Sequence, residues 1–326
     1  MPVVQTPKPT HNFYTEFHLR CGGLNDLHVR ALAWLLLAPD LLDKHAPQWG
    51  DKIATLPTYL LDGVDDWLQN LDRQPAALHS YLDLQPFARL GRYAEKLMAF
   101  FLEQNGVLFA HGVQVRAGKT STIGEFDFLL RINEQLIHWE FATKFYLLEA
   151  SGAGDDADYF VGPNLADTLG AKMHKILDRQ LLLSTHAAAQ IHLPEPVSCA
   201  QALVKGWLFY PDNESQKLSV FGTSAAHCRG FWCTFSETLN LGAERYAILP
   251  RLQWLAPAKL PVQQTMDRQA LQSYLEEYFV NDTMPVLVAL LEVNGNTAVE
   301  ASRGFIVPDD WRTRARQRVK LAHPSA

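Results

Sequence analysis

The chain has 326 residues, 48% apolar and 20% charged, which is enough apolar content for a large core and excludes a disordered or collagen-like chain. With 29 basic against 35 acidic side chains the formal charge is −6, which excludes a strongly cationic nucleic-acid binder, so a polyanion must meet a local basic patch. The longest apolar run, 31–38, is far short of the roughly 20 residues of a membrane span, so no membrane partner is expected. The start of the chain lacks the basic-then-apolar pattern of a secretory signal. Cys21, Cys199, Cys228 and Cys233 have no C-x-x-C spacing and read as reduced, buried thiols of a cytoplasmic protein.

In chain order, residues 1–18 read as a loose, Pro-rich arm and 19–84 as a helical layer. Leu27, Ala31, Trp34, Leu35 and Ala38 recur at helical spacing, with Asn25 a candidate N-cap and Pro39 a stop. A second helix is predicted over 59–71. An α/β core is predicted over 85–255. It opens with a helix over 85–104, with Pro86 in its first turn and a stripe of Phe87, Leu90, Ala94, Leu97, Met98 and Phe101. Strand-like runs follow at 107–110, 113–116, 126–132 and 136–147, the last two joined by a short turn at Asn133, Glu134 and Gln135.

Next comes a Gly/Asp-rich loop, 149–164, whose Asp155, Asp156 and Asp158 lack the pattern of a calcium loop. A helix is predicted over 165–185, then short buried strands at 206–210 and 231–235 and a candidate at 245–249. Trp207, Phe209, Phe231, Trp232 and Trp254 read as core aromatics. Residues 256–326 read as an extension packed on the core: a helix over 268–279, then a hairpin turning at Asn294 and Gly295. Between 302 and 320, Arg303, Arg312, Arg314, Arg316, Arg318 and Lys320 stand against Asp309 and Asp310. That is either a footprint for a polyanion or a solvated terminal helix.

The chemistry lies between Arg89 and Lys144. Strand alternation places Glu125, Asp127, Leu129 and Arg131 on one face of one strand, and His138, Glu140, Ala142 and Lys144 on one face of the next. Adjacent strands then present Asp127, Glu140 and Lys144 together over an apolar back. Two convergent carboxylates suit a hard divalent cation, which activates water and polarises a phosphoryl oxygen. The same alternation also describes an ordinary hairpin with one wet face; spacing leaves both readings open. Lys172, Lys175 and Arg179 share a helical face, either a phosphate-contacting stripe or a solvated one, with Gln180 a weaker candidate nearby. No G-x-x-x-x-G-K-[ST] occurs, so no ATP-driven step is expected.

Taken in order, GRYAEKL (91–97), GEFDFLL (124–130) and HWEFATK (138–144) resemble the PD-(D/E)XK nuclease superfamily, and its Holliday-junction-resolvase-like members in particular. Much of the remaining chain is similar to a bacterial family of unknown function placed in that superfamily, on VRALAWLLLAPDLL (29–42), KFYL (144–147), VGPN (161–164), RQLLLS (179–184) and GWLFYP (206–211). The resemblance implies an α/β, restriction-endonuclease-like fold with a mixed central sheet flanked by helices. It implies hydrolysis of nucleic-acid phosphodiesters, DNA before RNA, with Mg²⁺ or Mn²⁺. Asp127, Glu140 and the Phe141 carbonyl would be metal ligands, Lys144 would position or activate the attacking water, and Glu95 would be auxiliary. One departure bears on activity. The superfamily lysine sits two residues after the acid, where this chain has Ala142. Lys144 keeps the face but lies about 6.6 Å further along the strand. A nuclease-fold binding or scaffold protein without cleavage is therefore the alternative, and a metal-dependent hydrolase of small phosphoesters a more remote one.

Overall fold

A single mixed sheet, ten-stranded among the described residues, runs through the molecule. The computed structural model describes residues 12–83, 89–117, 121–149, 157–211 and 222–322. Strands β1 (Leu108–Ala117), β2 (Ser121–Ile132) and β3 (Gln135–Leu148) are antiparallel neighbours. The short β4 (Phe160–Val161) pairs with the end of β3. β5 (Cys199–Pro211) runs parallel to β3, and β6 (Cys228–Thr234) parallel to β5. At the far edge lie β7 (Arg245–Ile248), β8 (Lys259–Pro261), β9 (Val286–Asn294) and β10 (Thr297–Val307). The expected mixed central sheet flanked by helices is present.

The last strands are not an extension laid on the core, as 256–326 suggested. β10 is parallel to β6 and antiparallel to β9, inside the same sheet. The reason lies in its alternation: Phe305 and Val307 enter one core and Ile306 another, so both faces of β10 need cover.

On one face lie α1 (Phe13–Cys21), α2 (Leu27–Leu37), α3 (Val64–Arg73), α4 (Ala76–Leu82) and α5 (Leu90–Gln104). Their buried stripes share a core with Phe128, Leu130, Trp139, Trp207 and Phe209 of the sheet. Part of the expected arm is thus helical. Asn12 caps the Tyr14 amide, and Tyr14, Phe17 and Cys21 bury one face, with the Tyr14 ring 5.4 Å from Trp207. Asp26, not Asn25, caps α2 by accepting from the amides of His28 and Val29. The helix over 59–71 divides into a 3-10 turn, Thr58–Leu61, and α3, because Gly63 between them takes φ 69. The start of the predicted helix over 85–104, with Pro86 and Phe87, lies outside the described residues.

On the other face, α6 (Leu169–Lys175) winds into a π-helical turn, Ile176–Gln180, and then into 3-10 turns at Leu183–Thr185 and Ala187–His192. This replaces the continuous helix expected over 165–185. α7 (Arg268–Asn281) covers β7 and β9; α8 (Trp311–Ala322) belongs with the first face, adding Trp311 and Ala315 to its core and setting Trp311 4.8 Å from Trp232. No helix among the described residues is long and apolar enough to cross a membrane; the run 31–38 falls largely in buried α2.

Close contact between β3 and β5 depends on Gly206, paired with Lys144. A Cβ there would lie 2.2 Å from the Lys144 carbonyl oxygen. Gly206→Ala is expected to lose at least the ~1–3 kcal/mol typical of overpacking, read as a lowered thermal midpoint. An unchanged midpoint would contradict this register.

Candidate functional site

The β2–β3 hairpin turns through Asn133 and Glu134, both left-handed at φ 49 and 63, as a type I′ turn requires. Gln135 already pairs with Ile132, so it belongs to the strand and not to the turn. This tight turn sets the register, and the ladder runs only as far as Phe128↔Trp139. Beyond that β2 leaves β3, and β4 rejoins it only at Leu147 and Leu148. Between these points residues 140–146 of β3 have one edge without a strand partner among the described residues. β1 is one strand through Gly112, at φ 64, where the sequence suggests two, and its pairing with β2 shifts register between Leu108 and Ala110 and between Val115 and Arg116.

Asp127 and Glu140 meet where the strands part. The Phe141 amide, with no strand partner there, donates to Asp127 Oδ2 at 2.9 Å. In extended backbone the N–H and C=O of a residue point the same way, so the Phe141 carbonyl shares that edge. Glu140 is 2% exposed. Its Oε2 accepts from Gln180 Nε2 at 2.5 Å, and its Oε1 lies 3.0 Å from His138 Nε2. The face of β3 expected to be wet is therefore covered, because α6 and the turns after it pack Met173, Ile176 and Leu177 onto Ala142 and its neighbours. His138 is fully buried there, edge-on to Phe126 at 4.8 Å, and burial pushes its pKa down to about 4. A neutral ring whose Nδ1 is unpartnered places its proton on Nε2, donating to Glu140.

Burial pushes both carboxyls well above the usual carboxylate range. Glu140 adds to the rise at Asp127, while a hydrogen bond with Asp127 moderates that of Glu140. Glu95 and Glu125 lie near enough to raise both further. Glu95 is not in the pair itself. It reaches from α5 to His111 Nε2 at 2.8 Å, and His111 stacks on Phe128 at 5.5 Å. Sequence reading missed His111; its signal is its position opposite Phe128 in the β1–β2 ladder.

Among the described residues no group of three or more His, Cys, Asp or Glu side chains is gathered as a metal-holding set. The available donors are two carboxylates and a carbonyl. That set fits Mg²⁺ or Mn²⁺, which take hard oxygen ligands and keep several waters. A cation between two buried, mutually repelling carboxylates would also relieve that repulsion.

Lys144 turns to the open edge. It lines a cleft of about 280 Å³, and its ammonium makes no hydrogen bond or ion pair among the described residues. Burial, with help from nearby Lys172, pulls its pKa down to about 8, against the opposing pull of Asp167 and Asp127. The proposed cationic stripe divides. Lys172 enters the cleft and pairs with Asp167 at 2.9 Å, while Lys175 is exposed but close enough to favour ionised Glu140. Arg179 is exposed in the π-helical turn. That wider turn changes which residue faces the sheet and delivers Gln180 to Glu140. Trp254, read as core, is half-buried and lines the cleft.

The basic run 302–320 is largely taken up by the fold. Arg303 is buried against Glu300 with its guanidinium 4.2 Å over Trp207. Arg312 pairs with Glu237, Arg314 with Asp310 and Arg316 with Glu149, and Arg318 donates to the Ala166 carbonyl. Asp155 and Asp156 lie outside the described residues; Asp158 accepts from the Thr168 hydroxyl and the Ala171 amide at the start of α6.

Gln180→Ala removes the donor that fixes Glu140. If the pair holds a divalent cation, its affinity should fall about 10–100-fold, read by Mn²⁺ titration. Equal affinity would detach Gln180 from the site.

The fold and site together define a mixed α/β protein with a buried acidic pair at a gap in its sheet. The chain belongs to the family of the domain of unknown function DUF1853, whose model matches residues 30–307. No curated protein and no solved structure matches the chain.

Proposed function

We propose that this chain is a Mg²⁺- or Mn²⁺-dependent nuclease of the restriction-endonuclease-like type, hydrolysing nucleic-acid phosphodiesters, DNA before RNA, in the cytoplasm. The observation that carries this reading is the facing pair Asp127 and Glu140, buried where β2 leaves β3, with Lys144 and a cationic cleft along the same edge. The order α5, β1, β2, β3, α6, β5, three antiparallel strands and then a parallel one, supports the PD-(D/E)XK resemblance.

Asp127 and Glu140 would hold the cation, with the Phe141 carbonyl as a third oxygen. When bound, the cation lowers the pKa of a water and polarises a phosphoryl oxygen. The protein's own groups supply the rest. The Phe141 amide holds Asp127, and Gln180 and His138 hold Glu140, so neither carboxylate reorients during the reaction. Lys144, accessible as amine or ammonium near pH 8, orients the water or offsets phosphoryl charge. The water gives up a proton to solvent as its oxygen bonds to phosphorus, the bond from phosphorus to the leaving sugar oxygen breaks, and that oxygen takes up a proton from solvent. Glu95, held by His111, acts at a distance by keeping the acidic field strong.

The test is cleavage of single-stranded DNA, duplex DNA, a branched junction and RNA with Mn²⁺ or Mg²⁺, beside Asp127→Ala. Metal-dependent cutting that vanishes in the variant supports the nuclease. Cutting that persists in it overturns the site. Salt-dependent binding without cutting on any substrate gives the second reading, a nuclease-fold binding protein, which buried Ala142 in the usual lysine position favours.

A further inference from the structure

We propose that the cleft along the open edge of β3 is a phosphoryl-binding subsite, taking a phosphate of the nucleic-acid strand beside the one being hydrolysed. The identity of the strand rests on the nuclease reading; the anion chemistry does not.

Four cationic side chains reach the cleft from four separate elements. Arg89 comes from the residue that precedes α5, Lys144 from β3, Lys172 from α6, and Arg251 from the 3-10 turn Arg251–Gln253. Asp167 is the one carboxylate lining it among the described residues, and it is already engaged by Lys172 at 2.9 Å and by the Tyr146 hydroxyl at 3.0 Å. Arg89, Lys144 and Arg251 have no ion-pair partner among the described residues. A chain of net charge −6 thus gathers an unneutralised cationic group in one recess. Such groups repel one another, and a polyvalent oxyanion removes that repulsion while accepting their hydrogen bonds.

Two further features fit phosphate. The first turn of α5 opens on the cleft at Leu90 and Gly91, and Arg89 makes no side-chain cap there, so its amides add donors and positive dipole. Arg251 stacks on Trp254 with its guanidinium carbon 5.5 Å from the ring centre, which holds the fork in place. At about 280 Å³ the cleft suits one nucleotide and is too small for a duplex. Lys144 lines the recess and lies four residues along β3 from Glu140, so the acidic pair and the recess share one strand.

The experiment uses the full chain in EDTA, where cleavage cannot occur. Inorganic phosphate is titrated calorimetrically, and a short single strand, with a 5′-phosphate or a 5′-hydroxyl, is followed by fluorescence anisotropy. The proteins are wild type, the double variant Arg89→Gln with Arg251→Gln, and Arg73→Gln on distant α3. Arg89 and Arg251 are exposed, so the double variant is expected to keep its thermal midpoint. It should lose phosphate affinity by about tenfold or more, and its strand binding should show a salt slope shallower by about one to two; Arg73→Gln should match wild type. A preference for the 5′-phosphate strand that disappears in the double variant identifies a terminal phosphate. Equal binding of both strands, each weakened in the double variant, identifies an internal diester. Either outcome supports the subsite. Equal phosphate and strand binding by wild type and double variant, or no phosphate binding by wild type, overturns it. Absence of cleavage in the metal assay, with phosphate still held by Arg89 and Arg251, would retire the nuclease reading alone.

Discussion

Asp127→Asn is expected to lower metal-dependent cleavage by about 10³-fold or more while the protein stays folded. Asparagine keeps an oxygen for the Phe141 amide, now 2.9 Å from Oδ2, and its NH₂ can donate to Glu140. The substitution therefore removes one negative charge from the proposed cation site and leaves the strand geometry in place. Lys144→Ala separates the roles on the same edge. If Lys144 only offsets phosphate charge, the loss should be smaller than that of Asp127→Asn and should shrink as salt is raised. A loss as large as that of Asp127→Asn would make Lys144 essential to water activation despite its displacement from the usual position. Retained activity in Asp127→Asn would remove the acidic pair from the chemistry.

The same substitution should stabilise the metal-free protein at alkaline pH. The unfolded chain releases the Asp127 and Glu140 protons near pH 4, whereas burial, and at Asp127 the neighbouring Glu140 charge, make the folded chain hold them to higher pH. Above about pH 4 the folded state therefore binds more protons, so the pair's contribution to stability falls as pH rises and is least favourable on the alkaline side. His138 and His227, which burial holds near pKa 4, act in the opposite sense between about pH 4 and their unfolded value of 6.5. The difference between wild type and Asp127→Asn cancels the histidine contribution. The variant's thermal midpoint should match wild type near pH 4 and exceed it at pH 8, by about 2–4 °C for each ~1 kcal/mol of relieved repulsion. A variant less stable than wild type at pH 8 would show that the pair is not under repulsive strain. Saturating Mg²⁺ should narrow the gap by binding only the wild-type folded state.

The hairpin that carries the acidic pair was legible because its signals are local. Strand alternation and a two-residue turn fix which residues share a face, and Asp127 and Glu140 follow from that register. What covers the face was not legible. His138, Glu140 and Ala142 read as a wet side because the helical layer that buries them arrives from residues 169–192. The π-helical turn that presents Gln180 breaks the helical period on which the Lys172, Lys175 and Arg179 stripe relied. α1 was hidden for a related reason. Its short apolar face has meaning only against Trp207 and the neighbouring sheet, contacts separated by about two hundred residues in the chain. The placement of β10 between β6 and β9 is likewise a non-local choice, made by apolar residues that point both ways. Arg303 shows the opposite error: counted as part of a cationic footprint, it is buried under Glu300 and stacked on Trp207.

Calorimetric titration of Mn²⁺ into the full chain at pH 6 and pH 8 decides whether Asp127 and Glu140 form one divalent-cation site. One site is expected in wild type, tighter at pH 8 because the cation must displace the protons that the pair retains, and no measurable site in Asp127→Asn. Equal binding by the variant, or no binding by wild type at pH 8, would contradict it.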